Sequence, residues 1–201
     1  IDSGKYVFLS RPRRFGKSLL VSTLKALWEG RRELFQELDI YDQFPWMTYP
    51  VIHLDLSTVT YSDGLEIFKK TLTHSLLFHT RHYEVSVQAD ELNSVFEELI
   101  VRLAERYQRP VVVLIDEYDK PILDHLTDPE KAQANRDLLR NFYTILKASD
   151  AYLKWVFLTG VSKFSRVSIF SGLNNLQDMT QDESCATLLG ITQAELEENF
   201  A

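Results

Sequence analysis

Two short runs of the sequence contain residue types that bind phosphate and the metal ion that accompanies it. In the first run, Gly16, Lys17 and Ser18 fill the last three fixed positions of the Walker A pattern, G-x-x-x-x-G-K-[ST]. In such a loop the glycine lets the backbone approach phosphate, the lysine reaches the outer phosphates, and the hydroxyl binds Mg²⁺. Arg11 stands where the first glycine of the pattern belongs. The run therefore predicts a phosphate-binding loop with one altered residue.

The second run, VVVLIDEYDKP over residues 111–121, is an apolar stretch that ends in two carboxylates, Asp116 and Glu117. An aspartate in this place binds Mg²⁺ through water, and the residue after it can polarise an attacking water. The simpler interpretation is a strand that leads into an acidic turn, and DEYDKP by itself favours it. Two independent runs of this kind in one chain favour the chemical interpretation.

A third group of polar residues follows the apolar run VFL at residues 156–158. It consists of Thr159, Gly160, Ser162 and Lys163. Groups of this kind at the end of a strand could sense the third phosphate or orient a water molecule. A capped turn between a strand and a helix explains the same residues equally well.

These side chains can act together only if strands and helices bring them to one place. Four runs rich in β-branched and aromatic residues predict strands: KYVFL, VIHLDL, VVVLI and KWVFLT. Helical patterns lie between them, opening at Lys17, extending from Leu92 to Leu103, and starting at the N-cap signal Asp128-Pro129-Glu130. This alternation predicts an α/β fold, with a parallel sheet of about five strands sandwiched between helices. Ligands of such sheets bind at the carboxyl ends of the strands, where the candidate residues lie.

The C-terminal part of the chain carries helix-start signals of its own. Two capping boxes, Thr180-x-x-Glu183 and Thr192-x-x-Glu195, predict two helices, and Gly190 separates them. We expect residues 1–180 to form the core domain and residues 181–201 to begin a helical lid that is truncated. The chain lacks an initial methionine, so we also expect that an N-terminal portion is absent.

Composition excludes several classes of protein. The net charge of −7 argues against a nucleic-acid platform that covers the whole surface. A single cysteine, Cys185, excludes an internal disulfide and fits a reducing compartment, so we expect a cytoplasmic protein. No apolar run is long enough to cross a bilayer, so we expect no membrane partner. The histidines lack zinc spacing, and we expect His74, His79 and His82 to lie on a solvated face.

Three segments together resemble the AAA-ATPase-like family of bacterial P-loop proteins: LSRPRRFGKSLLVSTLKALWEG, VVVLIDEYDKPILD and VFLTGVSKFSRVSIFSGLNNLQDMT. The resemblance extends over almost the whole chain, and the family pattern itself contains RPRRFGKS, so Arg11 is no departure from it. It implies a P-loop three-layer sandwich that binds ATP with Mg²⁺ and hydrolyses it. By residue, it assigns Lys17 and Ser18 to phosphate and Mg²⁺, Asp116 to Mg²⁺, and Glu117 to activation of water.

The motifs and the resemblance together give the candidate site. Lys17 and Glu117 are the candidate catalytic residues, and Ser18 and Asp116 are the candidate metal ligands. We expect the charge of Lys17 to pair only with phosphate. The candidate nucleotide-binding residues are Arg11, Pro12, Arg13, Arg14, Phe15, Gly16, Lys17, Ser18, Leu19, Thr159, Ser162 and Lys163.

The clustered arginines of the loop, Arg11, Arg13 and Arg14, have three open interpretations. They could neutralise the triphosphate, bind nucleic acid, or form a solvated loop, because arginine forks suit phosphate but the sequence does not orient them. Arg166 is a candidate arginine finger that would act on a neighbouring copy of the chain.

Members of the family commonly carry a PD-(D/E)XK nuclease-like domain after the ATPase region. We therefore expect ATP hydrolysis to switch or drive an attached effector, with nucleic acid reached through such a domain and other copies of the chain as further partners. Two alternatives stay open, a non-hydrolysing ATP-binding module for regulation or assembly and a P-loop kinase. Glu117 directly after Asp116 fits activation of water better than transfer to an acceptor.

Overall fold

A parallel sheet forms the centre of the computed structural model, which describes residues 4–162, 169–170, 173 and 175–200. Lys163 and Arg166 lie outside these described residues. Within the described ranges the sheet has five strands, and all paired neighbours run parallel. The strands are β1 (Tyr6–Ser10), β2 (Val51–Asp55), β3 (Val111–Asp116), β4 (Leu153–Gly160) and β5 (Gln177–Asp178), in the order β2-β3-β4-β1-β5.

Helices cover both faces of the sheet. Alternate residues of each strand point to opposite faces, so that Val7 and Leu9 pack with α1, whereas Tyr6 and Phe8 pack in the core formed with α3, α4 and α6. The three layers confirm the predicted α/β sandwich. The helices are α1 (Lys17–Trp28), α2 (Ile40–Gln43), α3 (Leu65–His82), α4 (Leu92–Tyr107), α5 (Lys120–Leu123), α6 (Pro129–Ala148) and α7 (Gln193–Phe200).

The carboxyl ends of the strands meet at one edge of the sheet. Strand β4 lies between β1 and β3, with Ser10 paired to Gly160. On the other side of β3, Asp55 is paired to Asp116. The loop that follows β1 and the turn that follows β3 therefore lie on either side of the end of β4.

Local signals set most helix starts correctly. Helix α1 begins at Lys17 as predicted, and the side chain of Asp128 caps α6 by accepting a hydrogen bond from the backbone N–H of Lys131. The second capping box is confirmed, because the N–H of Thr192 donates to Glu195 and the N–H of Glu195 donates to the Thr192 hydroxyl.

The helix predicted from the first capping box, Thr180-x-x-Glu183, is wrong. In place of a helix that starts after Thr180, the chain forms a single 3₁₀ turn, Glu183–Cys185, and its cap is Asp182. The Thr180 hydroxyl instead accepts a hydrogen bond from the backbone N–H of Ser10. A long-range contact has therefore taken the oxygen that the local pattern assigned to a helix cap.

Helix α3 places His79 in the core, so its predicted position on a solvated face is wrong. Phe68, Leu72 and Leu76 form the buried face, and His79 follows Leu76 at helical spacing. Only 7% of His79 is exposed, and its Nε2 lies 3.0 Å from the carbonyl oxygen of His53. Because a carbonyl oxygen only accepts, Nε2 is the protonated nitrogen and donates this bond. His82, on the same helix, is exposed as predicted.

Burial of His79 makes the stability of the fold depend on pH. Burial lowers the pKa of His79 to about 4, against 6.5 for an ordinary histidine. The unfolded chain therefore takes up a proton below about pH 6.5 that the folded protein does not take up until about pH 4. We expect the free energy of unfolding to fall by about 2–3 kcal/mol across this interval because of His79.

The variant His79→Gln tests this, because glutamine keeps a donor for the His53 carbonyl and does not titrate. Urea unfolding at pH 7 and pH 4.5 should give a smaller difference in unfolding free energy for His79→Gln than for the parent. His82→Gln on the exposed side of α3 is the control and should leave the difference unchanged. If the unfolding free energy changes equally between the two pH values in all three proteins, His79 is not the source of the pH dependence.

No helix in the described part of the chain combines the length and the apolar character that crossing a membrane requires.

Candidate nucleotide site

The loop between β1 and α1 has the backbone shape of an anion-binding turn. Gly16 stands at the start of α1 with φ 83° and ψ 17°, a left-handed conformation that glycine adopts without steric cost. Its carbonyl accepts the first helical hydrogen bond, from the N–H of Leu20 at 2.9 Å. No side chain caps α1 among the described residues. The first N–H groups of the helix are therefore available to an anion, which the positive end of the helix dipole also favours.

Lys17 is the buried cation of the site. Its side chain is 3% exposed, and its Nζ donates to the Pro12 carbonyl at 3.2 Å and lies 3.6 Å from Oε1 of Glu117. The expectation that this charge pairs only with phosphate is wrong, because a carboxylate of the chain already lies beside it. Lys17 thus links the loop after β1 to the turn after β3.

Asp116 and Ser18 come together although about 100 residues separate them. Asp116 ends β3 and is 1% exposed, and burial raises the pKa of its carboxyl group. The nearby Ser18 side chain acts in the opposite direction and lowers this pKa. The backbone N–H of Glu117 also donates to Oδ1 of Asp116 at 2.9 Å. These contacts hold the carboxylate at the edge of the sheet, beside the first turn of α1.

Glu117 leaves the strand in a left-handed conformation, with φ 52°. This conformation carries a steric cost for a residue other than glycine and occurs often at functional sites. The half-buried carboxylate lies next to Lys17. Burial raises the pKa of Glu117, and the charge of Lys17 lowers it. The two candidate catalytic residues are therefore adjacent in space.

A comparison with protein families matches residues 1–170 to the family described as predicted AAA-ATPase. The chain belongs to this family. A relative in Azotobacter chroococcum mcd 1, described as an uncharacterized protein in the vnfD 5′ region, is 42% identical over 202 residues. That alignment covers the whole of this chain and 39% of the relative, so this predicted AAA-ATPase spans well under half of the length of the relative.

The donor set of this predicted AAA-ATPase suits Mg²⁺ in one particular way. The described residues contain no group of three or more His, Cys, Asp or Glu side chains that could hold a metal by themselves. Mg²⁺ in nucleotide sites takes one or two protein oxygens and completes its shell with water and phosphate. Ser18, in the first turn of α1, and Asp116, at the end of β3, offer that number of oxygens. They fit a metal that arrives with a nucleotide.

The polar groups at the end of β4 have partners within the protein. The Thr159 hydroxyl donates to the Leu9 carbonyl at 2.8 Å and is fully buried. The Ser162 hydroxyl donates to Oδ2 of Asp119 at 2.5 Å. The structure thus uses Thr159 to join β4 to β1 and Ser162 to join the end of β4 to the turn after β3, whereas Lys163 lies outside the described residues.

Sequence reasoning missed Asp119. This residue is fully buried and accepts hydrogen bonds from the backbone N–H groups of Val161 and Ser162 at 3.1 and 2.6 Å. A side chain at Gly160 would collide with the Asp119 carboxylate and with the Tyr118 ring. The available signal was a third acidic residue in DEYD, followed downstream by a glycine at the end of a strand. Asp119 fixes the turn that carries Glu117.

Asp55 was missed as well. It ends β2 directly beside Asp116 in the parallel register, and its negative charge contributes to the raised pKa of Asp116. The available signal was the acidic residue at the end of the strand run VIHLD. Its place at the carboxyl edge adds negative charge next to the candidate metal ligands.

The remaining residues of the loop differ in their surroundings. Pro12, Arg13, Arg14 and Phe15 are exposed, and Arg14 has a left-handed φ of 70°. Leu19, on the first turn of α1, is 71% exposed. Arg11 is different, because its guanidinium group donates to backbone carbonyls of the C-terminal part of the chain. The exposed members are accessible to a ligand, whereas Arg11 has protein partners.

Proposed function

We propose that this member of the predicted AAA-ATPase family binds ATP with Mg²⁺ and hydrolyses it. The observation that carries the proposal is the meeting of Lys17 and Ser18, in the first turn of α1, with Asp116 and Glu117, at the carboxyl end of β3. A cation, a hydroxyl and two carboxylates at the start of a helix are the groups that triphosphate chemistry requires.

Each side chain has a role that its surroundings support. The N–H groups at the start of α1 and the Nζ of Lys17 hold the phosphates. Ser18 and Asp116 bind the metal, which neutralises charge on the phosphates when it is present. Glu117 accepts a proton from the attacking water. Its half-buried position beside Lys17 suits a general base, because burial and the Lys17 charge together set its pKa.

Entry of the nucleotide has a consequence for Glu117. The Nζ of Lys17 lies 3.6 Å from Oε1 of Glu117. Phosphate oxygens that take up the Lys17 ammonium would withdraw it from Glu117 and leave the carboxylate available to water. Glu117 would thus be free to accept a proton from water only when a nucleotide is bound, which supports hydrolysis of that nucleotide.

The specific alternative is a nucleotide-binding module that does not hydrolyse. The Lys17–Glu117 contact favours this alternative if it persists when nucleotide is bound, because Glu117 would then not be available to take a proton from water.

We infer further that the domain switches or drives an attached effector, such as a nuclease-like domain, because the relative extends well beyond the aligned region. Phosphate release by the purified protein with ATP and Mg²⁺, with and without DNA, separates hydrolysis from binding alone and detects an effect of nucleic acid.

Asp116→Asn tests the metal assignment. Loss of the charge should weaken binding of ATP in the presence of Mg²⁺ by about tenfold or more and should leave metal-free binding unchanged, because the carboxylate acts through the metal. The measurement is titration with a fluorescent ATP analogue with Mg²⁺ and with EDTA. Asp90→Asn, at an exposed position, is the matched control. An equal loss with and without Mg²⁺ would contradict a metal-holding role.

A further inference from the structure

Arg11 makes an unusual set of contacts for a residue that replaces a glycine. Its guanidinium donates four hydrogen bonds to backbone carbonyls, and all the acceptors are oxygens of the protein. Three acceptors lie in a segment that we define as the C-terminal strap, residues 179–189. The acceptors are Ser10 at 3.0 Å, Thr180 at 3.0 Å, Cys185 at 2.8 Å and Leu188 at 3.1 Å.

The strap touches both ends of the phosphate-binding loop. At the start of the loop, the N–H of Ser10 donates to the Thr180 hydroxyl at 3.1 Å, in addition to the contacts of Arg11. At the end of the loop, Leu189 reaches to 3.4 Å from the position that a Cβ of Gly16 would occupy. The loop is thus enclosed between two points of contact with one segment.

The internal hydrogen bonds of the strap are all local. The backbone bonds join residues three apart, as between the N–H of Cys185 and the carbonyl of Asp182, or the N–H of Leu188 and the carbonyl of Cys185. The side-chain bonds are as short in range, since Ser184 donates to the Asp182 carboxylate. Such short turns do not hold one another in a fixed arrangement. At the start of the strap, the N–H of Met179 also donates to the Phe8 carbonyl at 2.8 Å. Arg11 joins carbonyls from successive turns through one planar group, and it extends the polar contacts with the loop to Cys185 and Leu188.

We propose that Arg11 is a positioning residue that holds the C-terminal strap against the phosphate-binding loop and thereby couples nucleotide occupancy of the loop to order in the strap. The coupling rests on the proposed nucleotide binding. Because coupling between two sites is reciprocal, release of the strap weakens nucleotide binding, and bound nucleotide slows the opening of the strap. Arg11 therefore does not neutralise the triphosphate directly.

Arg11→Lys separates these two roles. Lysine keeps the positive charge, but its single ammonium has three donors and cannot span the carbonyls that the guanidinium fork joins. A direct phosphate contact would survive the change in large part, whereas the positioning contact would not. Arg11→Gly restores the glycine of the loop pattern, and Arg13→Gly removes an equal charge from an exposed position two residues away.

The experiment is hydrogen exchange of the strap amides in the full chain, without nucleotide and with Mg²⁺ and ATP, beside ATP affinity from a fluorescent analogue. Without nucleotide, we expect strap amides to exchange at least about tenfold faster in Arg11→Lys and Arg11→Gly than in the parent and in Arg13→Gly. We expect both Arg11 variants to bind ATP about three- to tenfold more weakly. In both variants, ATP should no longer slow strap exchange as much as it does in the parent.

Two outcomes overturn the proposal. If Arg11→Lys matches the parent in strap exchange, the fork does not hold the strap. If affinity falls in Arg11→Gly alone while strap exchange is unchanged, Arg11 acts on the phosphate through its charge. Failure of the proposed function can be told apart from failure of this inference. If the parent binds no ATP, the coupling is excluded, but strap exchange measured without nucleotide still tests whether Arg11 holds the strap. Circular dichroism of each variant confirms that the fold is intact.

Discussion

Glu117→Gln is expected to bind ATP as tightly as the parent and to hydrolyse it about 10²–10⁴ times more slowly, the usual contribution of a positioned general base. Glutamine has the size of glutamate and tolerates the same backbone conformation, so the turn after β3 should persist. It cannot accept the proton of the attacking water. Phosphate release under saturating ATP and Mg²⁺, together with ATP affinity, measures the two quantities separately.

The pH profile gives a second check on the same residue. The base must be ionised to act, and burial raises the pKa of Glu117 above its ordinary value of 4.5. Parental turnover should therefore fall as the pH drops through this raised pKa, and the residual turnover of Glu117→Gln should lack that acid limb. Glu97→Gln, on the exposed side of α4, is the control and should match the parent. Parental turnover in Glu117→Gln would leave the carboxylate pair a structural or metal-holding role. A parent that shows no hydrolysis above background would favour the non-hydrolysing module.

Lys17→Met is expected to remove most of the nucleotide affinity without unfolding the protein. Each charge-assisted contact with phosphate contributes about 1.5–3 kcal/mol, so a single lost contact weakens binding about 10- to 150-fold. Methionine fills the volume of the buried lysine stem. The Lys17–Glu117 pair contributes little to stability, since the Glu117 side chain is 22% exposed and reaches water.

Lys25→Met provides the matched control for this change. Lys25 lies on the same helix, two turns further along, and its ammonium is 3.8 Å from Glu29 at the surface. The control should bind a fluorescent ATP analogue like the parent, and circular dichroism should show both variants folded. Parental affinity in a folded Lys17→Met would remove Lys17 from the phosphate site.

Features that depend on neighbouring residues could be predicted from the sequence. Helix α1 starts at Lys17 because Gly16 ends the loop and a helix-forming run follows, and α6 starts where Asp128 caps it. Strands β1 to β4 follow from short β-branched and aromatic runs, although their bounds differ by a residue or so from the predicted ones. Strand β5, with only Gln177 and Asp178, has no pattern of its own and exists because it pairs with β1.

Contacts between distant residues were decided by the tertiary structure alone. The parallel sheet brings Lys17 beside Glu117 and Ser18 beside Asp116. The motifs predicted that these residues lie at the same edge of the sheet, but they did not predict which residues would be neighbours. The guanidinium of Arg11 donates to carbonyls about 170 residues further along the chain, because the strap packs beside the end of β1. A sequence shows which groups can donate or accept, whereas the partner of a buried charge depends on which surfaces the fold presses together and deprives of water.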